Sequence, residues 1–228
     1  MKKNILVIAA HPDDEVLGCG GTIAKHSKNG DIINVLLLGF GVKSRRLDLN
    51  KTNKKKDLLI NATINANKIL GVNNIYREDL PDNELDSISR LSIIKKIENY
   101  LEKLKPEIIY THYYGDLNID HRMISEAVLT ATRPIPGQNV KKILFFEIAS
   151  STNWSFGFNN YSFEPNYFVN ISHTLDLKLK ALKFYNSEMR EYPHARSLKA
   201  LELLAKLRGT NVGVDAAEAF VLARVLED

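Results

Sequence analysis

Short apolar runs alternate with amphipathic stretches along the first two thirds of the chain, which is typical of strands alternating with helices. Apolar runs predict five strands, at residues 5–10, 32–38, 74–76, 107–111 and 143–148. Helical spacing of apolar positions predicts four helices, at residues 20–29, 57–70, 91–104 and 121–132. Because parallel strands need a crossover connection, this order predicts an α/β fold with a mainly parallel sheet.

The pattern changes after Ser150. Residues 151–167 are aromatic and polar without clear periodicity, and we expect an edge hairpin or a lid there. The aromatic side chains between Trp154 and Phe168 could equally shape a sugar subsite, belong to the core or form a subunit interface. Two further helices, at 175–185 and 197–208, and a last strand at 216–222 complete the prediction. We expect one domain over residues 1–228, with 151–228 supplying the edge or lid and the C-terminal helices.

The chain has 228 residues, of which 44% are hydrophobic and 25% are charged, as is usual for a globular protein with a sizeable core. The net charge of +4 comes partly from a lysine cluster over residues 51–56. No aromatic residues interleave these lysines, so a solvated helix start is favoured over a nucleic-acid surface. The single cysteine, Cys19, excludes an intrachain disulfide.

The N-terminal apolar run is too short for a signal peptide and leads directly into an acidic motif. No stretch approaches the roughly 18 apolar residues of a membrane span. We therefore expect a cytoplasmic protein with no membrane span. Self-association as a homo-oligomer stays open, since the sequence does not determine it.

Polar side chains cluster where two of the predicted strands end. His11, Asp13, Asp14 and Glu15 follow the first strand, and His112, Asp116, Asp120 and His121 follow the fourth. Carboxyl ends of parallel strands meet at one edge of an open sheet, so both clusters should face the same crevice.

Three of these residues, His11, Asp14 and His121, form a set that zinc accepts, with a fourth position open for water. Asp13, next to a ligand, is placed to act as a general base. Asp116 and Asp120 are candidates for orienting His121 or another imidazole. Taken singly, either cluster has a structural explanation, since His-Pro-Asp often forms a turn and Asp120 also suits the N-cap of the helix that follows.

Other histidines are distinguished by their surroundings. His194 lies in a proline-bearing loop, where functional residues are common, and is a further candidate. His26 is expected at the surface, and His173 at a helix start.

These motifs resemble those of the LmbE-like, PIG-L-type deacetylases of N-acetylglucosamine-containing compounds. The resemblance rests on residues 10–15 with 18–22, on 115–122, on 70–72 and 80–82, and on 194–197, 208–209, 213 and 217–220. It implies a Rossmann-like three-layer fold and hydrolysis of an N-acetyl group from a small amino-sugar substrate by metal-bound water. Carried over, His11, Asp14 and His121 bind the metal, usually zinc, and Asp13 is the general base.

Two positions depart from the family pattern. Asn118 stands where many members have a histidine three residues before the last ligand. An asparagine can donate to an oxyanion but supplies no proton, so the general acid would be Asp13 or His194. Gly39-Phe40-Gly41 replaces Thr-Asp-Gly, although Arg45 still resembles the arginine of that loop. We expect Arg45 and Asn118 to bind substrate, the alternative for Arg45 being a solvated side chain.

Two other functions remain open from the sequence. One is a metal-dependent amidase acting on another amide, such as a thiol conjugate. The other is an inactive carbohydrate-binding relative, which the intact polar clusters argue against. A dinucleotide-binding protein is disfavoured because the glycines at 18–21 lack the spacing of a phosphate-binding turn.

Overall fold

A computed structural model of the chain describes residues 2–39, 49–156 and 162–227, with residues 49–54 described by their backbone alone. Its strands are β1 (Asn4–Ala9), β2 (Ile32–Gly39), β3 (Asn74–Leu80), β4 (Ile108–His112), β5 (Lys142–Phe146), β6 (Tyr167–Asn170) and β7 (Ala217–Val225). They form a sheet in the order β3-β2-β1-β4-β5-β7-β6. The pairs among β1 to β5 are parallel, and β7 runs antiparallel to both β5 and β6.

The helices are α1 (Asp14–Lys28), α2 (Leu49–Leu70), α3 (Arg90–Leu104), α4 (Ile119–Ala131), α5 (Leu175–Leu182) and α6 (Leu198–Thr210). α2 begins before the predicted residue 57, and β3 continues beyond the predicted residue 76. Of the segment expected to form a lid or edge hairpin, the described part contributes a short 3-10 turn at Asn153–Ser155 and leads into the edge strand β6.

Alternate residues of each central strand face opposite helical layers. In β1, Ile5 and Val7 pack into a core with α1, α2, α5 and α6. Leu6 and Ile8 pack into a second core with α3 and α4. Since side chains alternate along a strand, one buried sheet supports both cores. The predicted α/β fold with a mainly parallel sheet between helical layers is confirmed.

The helix predicted from Gly20 is present, but it is the second segment of α1, which begins at Asp14 and kinks at Cys19. A side chain at Gly18 would place its Cβ 2.3 Å from the Phe146 ring, and one at Gly21 would place it 2.8 Å from Ile171. Cys19 between them is buried and has non-helical backbone angles. The glycines therefore let a kinked helix pack closely against the sheet rather than marking where the helix begins.

Chain order reverses next to β1, which has β2 on one side and β4 on the other. The carboxyl ends of β1 and β4 thus form the switch point at which open α/β sheets bind ligands. His26, expected at the surface, is half-buried between Asp31 and Tyr110. Within the described residues, no helix combines the length and apolarity needed to cross a membrane.

Candidate active site

Both predicted polar clusters meet at this switch point. His11 lies in the turn after β1, Asp14 in the first turn of α1, and His121 in the first turn of α4. Oδ2 of Asp14 lies 3.3 Å from Nδ1 of His11 and 3.2 Å from Nε2 of His121. One atom from each residue therefore comes within 4.8 Å of the others, close enough to hold one ion.

Each imidazole is held from its other nitrogen by a carboxylate. Nε2 of His11 lies 2.9 Å from Oδ2 of Asp120, and Nδ1 of His121 lies 3.1 Å from Oδ1 of Asp116. A carboxylate that accepts one ring N–H leaves the lone pair of the other nitrogen free. In both rings the nitrogen so freed is the one that faces Asp14.

The buried atoms of this set fit a metal ion. Oδ1 of Asp14 and Nε2 of His121 have no hydrogen-bond partner in the described parts of the chain. Buried polar atoms without partners are rare in native proteins, and a bound ligand or ion is one explanation of them. Two imidazoles and one carboxylate are a donor set that zinc accepts.

A second group, His11 with Asp82 and Asp120, also converges. There Oδ2 of Asp120 accepts from the amide of Asn83 at 2.7 Å, and Oδ1 accepts from the amide of Leu85 at 3.0 Å. Because hydrogen bonds already satisfy Asp120, the first group suits a cation better.

Charge pairing sets the protonation of the site. Burial raises the pKa of Asp14, but His121 and His11 outweigh it, so the pKa lies well below its ordinary value. Burial lowers the pKa of His121, while Asp14 and Asp116 raise it to about 9. His11 follows the same rule, because its bonds to Asp120, Asp14 and Asp82 overcome burial and raise its pKa. Without a metal ion, the imidazoles of His11 and His121 therefore stay protonated to higher pH than a free imidazole does.

His112 lies behind the group formed by His11, Asp14 and His121. Its ring stacks on His121 with centroids 3.8 Å apart, and its Nε2 accepts the amide of Ala10 at 2.8 Å. Burial, together with the nearby His121, keeps its pKa well below the ordinary value. A neutral His112 thus supports the His121 ring and joins β4 to the end of β1.

Asp13 adopts a backbone conformation with φ of 111°. Its Oδ2 pairs with Nη1 of Arg196 at 2.8 Å, and its amide donates to Oε2 of Glu15 at 3.1 Å. Burial raises the pKa of Asp13 well above its ordinary value, even though Arg196 opposes the rise. A carboxyl group whose pKa is raised in this position is suited to exchange a proton with a group in the cavity.

Above the polar clusters lies a cavity of roughly 340 Å³. His11 and Asp13 form part of its floor, and the remaining lining residues include Leu59, Asp82, Asn83, Asn118, Ser150, Ser151, Trp154, Glu188, Arg190, His194 and Arg196. The backbone amide of Arg196 donates to Nδ1 of His194 at 3.0 Å, which leaves Nε2 of that ring as the protonated nitrogen. The ring of His194 packs edge-on to Trp154 at 5.4 Å.

The expectation that Asp120 caps α4 is wrong. Asn118 is the N-cap, and its Oδ1 accepts the amide of Asp120 at 2.8 Å. Its Nδ2 donates to Oδ1 of Asn83 at 2.9 Å. Asp120 is instead directed at His11 and the residue 83–85 turn.

Sequence reasoning missed Arg196, Asp82 and Glu188 as site residues. The loop with His194 that drew attention also carries Arg196, two residues further on, so the loop itself was the available signal. Arg45 falls in residues 40–48, outside the described residues.

Comparisons with known proteins agree with this geometry. The family model "PIG-L: GlcNAc-PI de-N-acetylase" matches residues 6–132. The diacetylchitobiose deacetylase of Thermococcus kodakarensis is 31% identical over 206 residues, which cover 83% of this chain and 71% of that protein.

Two solved structures share the fold. The N,N'-diacetylchitobiose deacetylase of Pyrococcus horikoshii superposes with a TM-score of 0.79 at 23% identity, covering 97% of this chain and 84% of that one. The 4-carboxy-2-hydroxymuconate hydratase of Pseudomonas putida KT2440 superposes with a TM-score of 0.76 at 22% identity, covering 100% and 99%. The same fold is therefore used by a deacetylase and by a hydratase.

Proposed function

Since the chain belongs to the PIG-L family, we propose that it is a zinc-dependent deacetylase, which hydrolyses the N-acetyl group of an amino sugar or its conjugate to acetate and a free amine. The convergence of His11, Asp14 and His121 beside Asp13 in one polar cavity carries this proposal. A carbohydrate-binding protein without activity would have no need for a buried carboxylate next to an ion-binding set.

Three residues would hold the metal, through Nδ1 of His11, a carboxylate oxygen of Asp14 and Nε2 of His121. Bound zinc supplies a Lewis acid that polarises the amide carbonyl and lowers the pKa of water. Asp120 and Asp116 keep the two rings in the required tautomers from behind.

Asp13 is the general base of the proposed reaction. Its carboxylate accepts a proton as water adds to the acetyl carbon, and returns a proton to the nitrogen as the C–N bond breaks. Arg196 fixes Oδ2 of Asp13, and Oδ1 has no hydrogen-bond partner among the described residues. That oxygen is the one available to the water.

The oxyanion needs a donor from the protein, and two line the cavity. Nε2 of His194 carries a proton because Nδ1 accepts from the backbone. Nδ2 of Asn118 gives one hydrogen to Asn83 and retains a second. His194 is the stronger candidate for stabilising the oxyanion, since it also sits beside Arg196 and Trp154 at the cavity wall.

The rest of the cavity suits a sugar ring. Asp82, Glu188 and Arg190 offer acceptors and donors for hydroxyl groups. Trp154, 41% exposed, offers an apolar face at the same wall. We also retain Arg45 as a substrate-binding residue of this proposal on the strength of its motif.

An acetate-release assay tests the proposal. Purified protein is incubated with free N-acetylglucosamine, N,N'-diacetylchitobiose, and lipid-linked and nucleotide-linked N-acetyl sugars, and both acetate and free amine are quantified. We expect equal amounts of both products, loss of activity with a chelator and recovery with added zinc. The control arm offers 4-carboxy-2-hydroxymuconate, since a protein with this fold hydrates it. Hydration of that compound without acetate release from any sugar would contradict the proposal.

A further inference from the structure

The turn after β1 carries three adjacent carboxylates, and the proposed reaction uses only Asp13 and Asp14. The third, Glu15, is fully buried and does not line the cavity. A buried carboxylate without a chemical role calls for another explanation, because removing its charge from water is costly.

Donors from three parts of the chain converge on Glu15. Its Oε1 accepts the hydroxyl of Tyr185 at 2.7 Å and Nδ2 of Asn67 at 2.8 Å. Its Oε2 accepts the backbone amide of Asp13 at 3.1 Å. The Asn67 amide and the Asp13 backbone amide are donors, so both oxygens of Glu15 are needed as acceptors, one for each.

The amide of Asp13 belongs to a strained peptide, since φ of 111° is unfavourable for any residue with a Cβ. On the other side, the carbonyl of Asp13 accepts the amides of Val16 at 3.0 Å and Leu17 at 2.8 Å. The backbone of Asp13 is thus fixed before and after its Cα. Rotation of this peptide would move the carboxylate away from Arg196 and the cavity.

We propose that Glu15 is a positioning residue, which holds the peptide of Asp13 in its strained conformation and so aims the Asp13 carboxylate into the cavity. Tyr185 and Asn67 anchor Glu15 in turn to the C-terminal segment and to α2. The inference rests on the proposed function, because it assumes that Asp13 is the base.

Two substitutions test the role. Glu15→Gln replaces an acceptor with an amide, which turns N–H groups toward existing donors. Misplacement of a reacting group by about 1 Å costs on the order of 10²-fold in rate, so kcat should fall by about that factor. KM and bound zinc should stay at their wild-type values. Tyr185→Phe removes one donor and should cause a smaller fall in kcat of the same kind.

Glu218→Gln is the matched control. Glu218 is also buried and accepts the amides of Gly21 and Thr22 together with Nζ of Lys178, but it does not contact Asp13. This variant should be less stable than wild type while its zinc-loaded form keeps its kcat within a few-fold.

A double-mutant cycle separates positioning from general support of the fold. In an Asp13→Asn background, Glu15→Gln should cause no further loss of residual turnover, since the group that it positions is already disabled. Turnover of Glu15→Gln or Tyr185→Phe within threefold of wild type, loss of zinc with activity, or an equal loss in both backgrounds would each overturn the inference. Wild-type turnover in Asp13→Asn alone would instead overturn the proposed base, and so distinguishes the two failures.

Discussion

Nη1 of Arg196 lies 2.8 Å from Oδ2 of Asp13, across a sequence separation of 183 residues. Nε of the same guanidinium donates to Oγ of Ser150 at 2.6 Å. Arg196 is therefore fixed at two points and supplies the nearest positive charge to a buried carboxylate. The proposed base depends on a residue from the far end of the chain.

Substituting Arg196→Gln should lower kcat/KM on the order of 10²-fold, because Asp13 would lose its orienting partner. Bound zinc should be unchanged, since Arg196 contacts none of the proposed ligands. Arg208→Gln is the control, since Arg208 also pairs with a carboxylate, donating two hydrogen bonds to Glu147 away from the cavity. Kinetics and metal analysis on both variants check this expectation, which equal losses in the two would contradict.

The Asp13→Asn variant should keep its bound zinc and its fold. Its kcat should fall by about 10²- to 10⁴-fold, the usual contribution of general acid–base catalysis. The amide keeps the shape of the side chain but accepts no proton. Steady-state acetate release and metal content measured on the same preparation are decisive. A variant that keeps near-wild-type turnover would remove Asp13 from the role of base.

Asp116→Asn and Asp120→Asn should each weaken zinc binding by about 10- to 100-fold, since each removes the carboxylate that orients a ligand imidazole. Competition with a chromophoric chelator measures the dissociation constant. Asp86→Asn serves as the control, because Asp86 is an exposed carboxylate in the 3-10 turn Leu85–Ser87. Unaltered zinc affinity in both site variants would show that the rings are oriented without them.

His194→Gln should lower kcat by about 10²- to 10³-fold, the usual effect of removing one oxyanion donor, with KM and zinc largely unchanged. His173→Gln, at an exposed position outside the cavity, should behave as wild type. If His194→Gln raised KM alone, the residue would be a substrate contact rather than an oxyanion donor.

His26 predicts a pH dependence of stability that is separate from the site. Burial lowers its pKa below the ordinary value of 6.5, despite its bond to Asp31. The unfolded chain therefore binds the proton more readily, and the free energy of unfolding should decrease as pH falls below about 6.5. Urea unfolding of wild type and His26→Gln between pH 8 and 5 should show a steeper decline for wild type. Parallel curves would contradict the prediction.

All strands of the described sheet except β6, the helices and the meeting of two polar clusters could be predicted, because each follows from local pattern and one rule of sheet topology. His11 and His121 are far apart in sequence. His11 lies in the turn after β1 and His121 lies in the helix that follows β4, and the sheet brings the ends of these parallel strands together. Apolar periodicity likewise located both faces of the sheet.

The start of α1 and the cap of α4 could not be read in this way. Gly18 and Gly21 weaken the local signal for a helix. These positions have room only for glycine because Phe146 and Ile171, which are distant in sequence, pack against them. At α4 two neighbouring side chains, those of Asn118 and Asp120, both suit a cap. Asp120 pairs with His11 instead, and Asn118 caps the helix. The partnership of Asp13 with Arg196 has no local signature at all.

The cavity draws its parts unequally from the chain. The ion-binding set and Asp13 lie within residues 6–132, the stretch that the family model matches, whereas Trp154, Glu188, Arg190 and His194 lie beyond it. The three residues proposed to hold the ion thus lie in one stretch, whereas Arg196 and His194, on which the proposed base and oxyanion contact depend, lie in the other. Sequence change at Trp154, Glu188 and Arg190 would reshape the cavity wall without touching the ion-binding set, so the proposed substrate range can diverge among relatives as long as Arg196 and His194 are kept.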